Sequence, residues 1–183
     1  SVTRDDLDDG GSAHFAATVT AVKHALPGAR VEVLTPDFRG DEAAVNRVLA
    51  AAPDIFNHNL ETVPRVYATV RPQADYRRSL GVLAFAAARG VRVKSGLMVG
   101  LGERPDEVCA ALDDLREAGV SITTIGQYLQ PGRRNLPVAE YIAPEQFERW
   151  REYGLSIGFK IVFSGPFVRS SYMADRVSEQ AGC

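Results

Sequence analysis

Side chains able to do chemistry gather at a few recurring places in this chain. Asn57-His58-Asn59-Leu60-Glu61 brings amides, an imidazole and a carboxylate together. Such a set suits hydrogen bonding to ribose hydroxyls or to an amino-acid moiety, and it also suits a simple turn cap. Gly96-Leu97-Met98-Val99-Gly100-Leu101-Gly102-Glu103 lets the main chain come close to a ligand, because glycine has no side chain and tolerates positive φ. The same glycines equally make a tight strand-to-helix turn. Gln127, Tyr128 and Gln130, ahead of Pro131 and the pair Arg133-Arg134, either hold a polar ligand or cap a solvated loop.

Arg169-Ser170-Ser171-Tyr172 offers a guanidinium and two hydroxyls just after Gly165-Pro166. No Gly-x-Ser-x-Gly elbow surrounds either serine, so a serine nucleophile is not indicated, and a helix N-cap is the plain reading. Asp5, Asp6, Asp8 and Asp9 precede Gly10-Gly11 but lack the alternating ligands and downstream Glu of a calcium loop, and read as an acidic helix entry. His58 has no second histidine at metal-ligand spacing, while His14 and His24 fall in a helical stretch without a carboxylate pattern. Cys109 lies on an amphipathic helical run, Cys183 is the last residue, and no Cys-x-x-Cys occurs.

These groups are spaced by alternating strand-like and helical runs. Strands are expected at Arg30 to Leu34, Asp54 to Phe56, Val91 to Met98, Ile122 to Ile125 and Lys160 to Phe163. Helices are expected from about His14 to Leu26, from Asp41 as an N-cap, within Asp75 to Gly90, from Pro105 to a stop at Gly119, and from Pro144 to Leu155. Repeated βα units with near-continuously apolar strands imply an α/β fold of parallel strands covered by helices, as an open sheet or a barrel. In each unit the polar and glycine-rich residues fall at the C-terminal end of the strand, where parallel α/β folds place their ligands. Ser1-Val2-Thr3 reads as the tail of a strand that begins upstream. A complete barrel needs on the order of 200 residues or more, so the chain is expected to be part of one, with an open sheet edge that favours self-association.

Composition narrows the classes. With 45% apolar and 24% charged among 183 residues, the chain has the make-up of one ordinary globular domain. A net charge of -2, with Lys and Arg dispersed among acids, gives no nucleic-acid footprint. No apolar run approaches the roughly 20 residues that span a bilayer, and the polar start is no signal peptide. A cytoplasmic protein is expected.

Read together and in order, six segments resemble lipoyl synthase: Val2-Thr3-Arg4-Asp5-Asp6-Leu7 through Gly11, Val33 to Gly40, Asn57 to Val63, Lys94 to Glu103, Gly126 to Pro131, and Gly165 to Tyr172. The resemblance covers essentially the whole chain and implies a partial radical-SAM (β/α) barrel, TIM-like, lacking N-terminal strands. In that family a reduced [4Fe-4S] cluster cleaves S-adenosyl-L-methionine, and the resulting radical removes hydrogens from C6 and C8 of an octanoyl chain on a lipoyl carrier domain or H-protein. A second [4Fe-4S] cluster is the sulfur source, and a reductant such as ferredoxin or flavodoxin supplies electrons.

Carried over by motif, Ser170 (or Ser171) is the serine ligand of the auxiliary cluster. Its oxygen is a harder, weaker partner for iron than thiolate, so it can be released when that iron is lost. Arg39, Asn59 and Glu61 face the ribose or methionine part of S-adenosylmethionine. Gly96, Gly100, Gly102, Gln127 and Leu129 border its adenosine, and Arg4, Asp5 and Asp6 lie near the methionine amine. The family's two cysteine motifs fall N-terminal to residue 1, so this chain alone is expected to be incompetent for cluster binding and radical formation. The alternatives are a catalytically dead module that binds S-adenosylmethionine or the carrier domain, and, more remotely, a phosphate-binding barrel fragment using the Gly100-Gly102 turn.

Overall fold

The computed structural model of the chain describes residues 4–171; Ser1-Val2-Thr3, Tyr172 and Cys183 lie outside the described residues. Five strands form one parallel sheet: β1 (Glu32–Leu34), β2 (Ile55–Asn57), β3 (Arg92–Val99), β4 (Ile122–Gln127) and β5 (Ile161–Gly165). Their spatial order is their chain order, each strand pairing in parallel with the next. Parallel neighbours need a crossover, and crossovers of one hand without reversal lay the strands along an arc of a (β/α) barrel rather than across a doubly wound sheet.

The crossovers are helices whose ends follow from local chemistry. α1 (Ser12–Ala25) begins after Gly11 at φ 83°, where no side chain of the cap residue can serve. Instead the Asp9 carboxylate accepts from the main-chain N–H groups of Gly11 and Ala13 at 2.9 Å each, so the acidic run is a helix entry as its composition suggested. Asp41 caps α2 (Glu42–Ala50) through the Ala43 N–H, and Asp75 caps α4 (Tyr76–Ala87) through the Arg78 N–H. Pro105 and Pro144 open α5 (Pro105–Glu117) and α6 (Pro144–Ser156), where a missing N–H costs nothing.

One helix was not expected: α3 (Pro64–Val70), between β2 and α4. Seven residues are too few to show a 3.6-residue period, and only packing of Val66 and Tyr67 into the core reveals it. The first strand is also shorter than its apolar run, with residues 30 and 31 leading into it as irregular chain.

Alternate strand residues divide the sheet into two faces. Val33, Phe56, Val93, Leu97, Ile125 and Val162 pack with the helices in the main core, beside the fully buried Trp150 and Phe147. The opposite face carries a small apolar layer, Ile55, Ile122 and Ile161 with Phe163 against it. Above that layer this inner face turns polar. Lys94, with no exposed side-chain surface, gives its ammonium to both carboxylate oxygens of Glu32 at 2.9 and 3.0 Å, and Asn57 donates to the same carboxylate at 2.8 Å. No helix of the described residues is long and apolar enough to cross a membrane.

Candidate functional site

At the C-terminal edge of the strands lies a cavity of about 350 Å³. Asn59 and Glu61 border it beyond β2, Gly96 and Met98 on β3, Thr124 and Gly126 on β4, with Leu129 beyond β4 and Ser170 beyond β5. The three strands converge because their inner-face residues follow period two, which brings Gly96 and Met98 opposite Thr124 and Gly126 in the ladder.

Glu61 reaches this position through a departure from β geometry. After Asn57 the chain leaves the ladder, then returns at Glu61, whose N–H donates to Gly96 O at 2.9 Å and whose carbonyl accepts from the Met98 N–H at 2.7 Å. Its φ of 75° is unusual for a residue with a side chain. Such a conformation costs on the order of 1–3 kcal/mol and persists because both flanking hydrogen bonds hold it. Burial pushes the Glu61 carboxyl above its ordinary range, while the Arg71 charge and the Asn59 amide act against that rise.

Gly96 is required by the site rather than by its backbone angles. A Cβ there would stand 2.8 Å from Thr124 Oγ1 and 2.9 Å from Asn59 Oδ1. The Asn59 Oδ1 atom is buried and has no hydrogen-bond partner among the described residues. A buried amide oxygen without a donor, beside a gap kept open by a glycine, is suited to accept a hydrogen bond from a ligand hydroxyl or amine. Gly126 has a different role. The chain after β5 turns back so far that a Cβ at Gly126 would lie 2.2 Å from the Val168 carbonyl oxygen. A turn bond from the Val168 N–H to Gly165 O, and Arg169 Nη1 folded onto its neighbour carbonyl Val168 O at 2.7 Å, shape the segment that brings Ser170 to the cavity.

The remaining motif residues fall into two groups. Gly100 and Gly102 have φ of 97° and 101° and do not border the cavity. Glu103 accepts from the Gly100 and Leu101 N–H groups, Gly102 O accepts from Arg65 at 2.7 Å, and a Cβ at Gly100 would meet Gln127 Nε2 and Glu140 O. This turn is therefore packed against residues 139–142. The Gln127 amide is spent on the same segment: its Nε2 donates to Tyr128 O and Glu140 O at 3.0 Å, and its Oε1 accepts from the Ile142 N–H at 2.9 Å. Gln127 thus leaves its main chain to the cavity.

Arg4, Asp5, Asp6 and Arg39 are not at this cavity. Asp5 and Arg39 border a separate hollow of about 520 Å³ with Asp37, Arg71 and Arg78. Arg39 has φ 54° and donates to Leu7 O at 3.2 Å, while Arg4 pairs with Asp6 at 2.6 Å on the surface. Thr124 and Arg71 lie outside every segment singled out in the sequence, while Met98 and Gly126 lie within two of them without a role of their own. Period two counted from Gly96 and Gly126 would have pointed to Met98 and Thr124.

Behind the site His58 is buried on the helix side of the sheet. Its Nδ1 lies 2.9 Å from the Thr35 carbonyl, which only accepts, so Nδ1 carries the proton. Nε2 then accepts from Ser79 Oγ at 3.0 Å. Burial pushes the imidazole below its ordinary pKa, keeping it neutral. This makes it a structural histidine that ties the end of β1 to α4.

Among the described residues no group of three or more His, Cys, Asp or Glu side chains is placed to hold a metal ion. By themselves these residues do not fit a cluster; Ser170 is a lone oxygen toward one. The cavity, by contrast, has the dimensions and donor set of a small-molecule site, within the roughly 300–1,000 Å³ usual for such sites.

The radical SAM superfamily pattern matches residues 1–115, and the chain belongs to that superfamily. Within it, the resemblance to lipoyl synthases extends over nearly the whole chain. Identity is 58% over 175 residues to the lipoyl synthase of Nitratidesulfovibrio vulgaris (strain Hildenborough), covering 96% of this chain and 59% of that protein. It is 55% over 183 residues to the lipoyl synthase of Rubrobacter xylanophilus, covering 99% and 57%. The chain thus spans about three-fifths of the length of these curated relatives. Among solved structures, methylornithine synthase superposes with a TM-score of 0.59 at 18% identity, covering 88% of this chain and 56% of that one, a likeness of fold.

Proposed function

We propose that this chain is the part of a lipoyl synthase that holds S-adenosylmethionine and presents the serine of the auxiliary cluster. The observation that supports it most directly is the unpartnered Asn59 Oδ1 beside the Gly96 gap, at the strand ends where the family's motifs converge. In this reading Asn59 and Glu61 take hydroxyl or amine donors of the ligand, Met98 and Leu129 supply apolar surface, and Gly126 admits the turn that carries Ser170. S-adenosylmethionine, when bound and reduced, supplies the hydrogen-abstracting power for sulfur insertion at C6 and C8 of the octanoyl chain. The residues of this chain bind, orient and exclude water, which is what a reactive intermediate requires of its pocket. In this reading the thiolates for both [4Fe-4S] clusters are those of the cysteine motifs that the family resemblance implies, and a carrier domain and an electron donor are the partners.

Two measurements test this. Binding of S-adenosylhomocysteine, a probe that needs no cluster, followed by saturation-transfer NMR, should be seen with the wild type and lost in Asn59→Leu; no binding by the wild type would overturn the site. Joined behind a segment carrying the two cysteine motifs that the family resemblance implies, the chain should convert octanoyl to lipoyl on a carrier domain by mass, and Ser170→Ala should abolish that conversion. The alternative of a non-catalytic binding module expects ligand capture but no conversion. Stoichiometric [4Fe-4S] on the chain alone after anaerobic reconstitution would refute its incompetence in isolation.

A further inference from the structure

Arg71 lines the hollow that also holds Asp37 and Arg39, and its guanidinium reaches the Asn59 carbonyl, while no motif that pointed to the site includes it. Arg71 is the C-cap residue of α3, its N–H bonded to Tyr67 O at 2.7 Å and its carbonyl accepting from the Ala74 N–H at 3.0 Å, so its backbone is fixed. From there Nη1 lies 3.4 Å from the Asn59 carbonyl and 3.3 Å from Tyr67 Oη. Tyr67 Oη lies 3.2 Å from Ser79 Oγ, which in turn serves His58 Nε2. Because His58 donates through Nδ1, the donors run one way: Arg71 to Tyr67, Tyr67 to Ser79, Ser79 to His58, His58 to Thr35 O. Arg71 is the charged, half-buried outer end of an otherwise buried chain of hydrogen bonds.

We propose that Arg71 is a positioning residue for the candidate site: through the Asn59 carbonyl it anchors the turn that carries Asn59 and Glu61 and brings a positive charge to that turn. This rests on the reading of the cavity as the S-adenosylmethionine site. The geometry gives the charge its importance. The Arg71 bond to the Asn59 carbonyl puts the guanidinium on the segment that carries Glu61 two residues further on, and there a neutral donor could keep the bond but not the charge. Around Glu61 the cavity presents Gly96 and Met98 from β3, Thr124 from β4, the polar uncharged loop beyond it, and Arg169 with Ser170 from the C-terminal turn. Arg169 is turned onto the carbonyls of Pro166 and Val168. Burial drives the Glu61 carboxyl up, and Arg71 is the charge that opposes this.

The experiment compares the 183-residue wild type with Arg71→Gln, which keeps hydrogen-bond donors without charge, and Arg71→Lys, which keeps charge without the fork. In ligand-free protein the Glu61 carboxyl titration is followed by ¹³C NMR, assigned with Glu61→Gln. The midpoint should rise by on the order of one pH unit in Arg71→Gln and stay near the wild-type value in Arg71→Lys. A merely structural role would move both variants alike, so equal shifts, or none, overturn the proposal. Should Arg71→Gln fail to fold, Arg71→Met, which keeps the stem without the charge, decides: its Glu61 midpoint should rise likewise, and an unchanged midpoint refutes the charge effect. S-adenosylhomocysteine binding is measured in parallel. Roughly tenfold weakening in Arg71→Gln, less in Arg71→Lys, is expected; unchanged affinity in both overturns the positioning role. Absence of binding by the wild type defeats the proposed function, and the ligand-free titration still decides the inference.

Discussion

Replacing Gly96 with alanine tests the cavity with a single methyl group. The added Cβ would lie 2.8 Å from Thr124 Oγ1 and 2.9 Å from Asn59 Oδ1, roughly half an ångström inside ordinary carbon–oxygen contact. Both obstructing atoms are ends of side chains, so the site relaxes by rotating Thr124 and Asn59 rather than by moving strands. Overpacking of this size costs about 1–3 kcal/mol. For a chain of this length each kcal/mol shifts Tm by roughly 2–4 °C, so a fall of roughly 2–12 °C is expected in a calorimetric scan. The effect on ligand should be larger than on the fold. The methyl fills the gap and displaces the acceptor oxygen, and losing such a hydrogen bond while stranding a buried partner costs about 1–3 kcal/mol, a weakening on the order of ten- to a hundredfold in S-adenosylhomocysteine binding. A Gly96→Ala protein that binds the probe as tightly as the wild type would refute the assignment of this gap to the ligand. A cost above about 5 kcal/mol would refute the claim that only side-chain ends obstruct the methyl.

Three further outcomes follow from the described interactions. Lys94→Met strands the Glu32 carboxylate, leaving it the Asn57 amide, and should cost about 3–5 kcal/mol in denaturant unfolding, with recovery on adding Glu32→Leu; no recovery would mean that the pair does more than satisfy itself. His58 has a depressed folded pKa, so its contribution to stability is present above the unfolded value of about 6.5 and is lost as pH falls below it. A Tm profile should therefore drop below about pH 6.5 in the wild type and be flatter in His58→Gln. Arg65, donating at 2.7 and 2.8 Å, together with the Arg104 N–H, holds the Glu107 carboxyl at about 2. Its stability is present above the unfolded pKa of about 4.3 and lost as pH falls toward 2. Arg65→Ala should raise the Glu107 midpoint, measured by ¹³C NMR, with little change in Tm because Arg65 faces solvent.

Much of this was legible in the residues. Apolar runs of four to eight residues alternating with 3.6-residue periods imply parallel strands under helices, and Asp41, Pro105 and Pro144 mark helix starts because capping and proline geometry are local. The ligand-bearing edge could be named from the residues that follow each strand, since a parallel sheet places all its strand C-termini on one side. The six motifs carried the family for the same reason: they are short, contiguous and ordered.

What the chain alone could not decide is which side of each strand end a side chain takes. Gln127 and Gly100 read as ligand-facing, yet the amide is consumed by residues 140–142 and the glycine admits that same segment, a contact made between residues far apart in sequence. Asp5 and Arg39 border a different hollow and Arg4 and Asp6 pair with each other on the surface; the 38–40 turn, with φ of 47° at Phe38 and 54° at Arg39, carries its arginine away from the cavity. Thr124 and Arg71 had no local signal; one acquires meaning from a glycine on the neighbouring strand, the other from the end of a seven-residue helix that only packing stabilises. Local propensity and motif order determine the elements and the family, whereas which groups share a pocket is set by non-local contacts that exist only once the strands have assembled side by side.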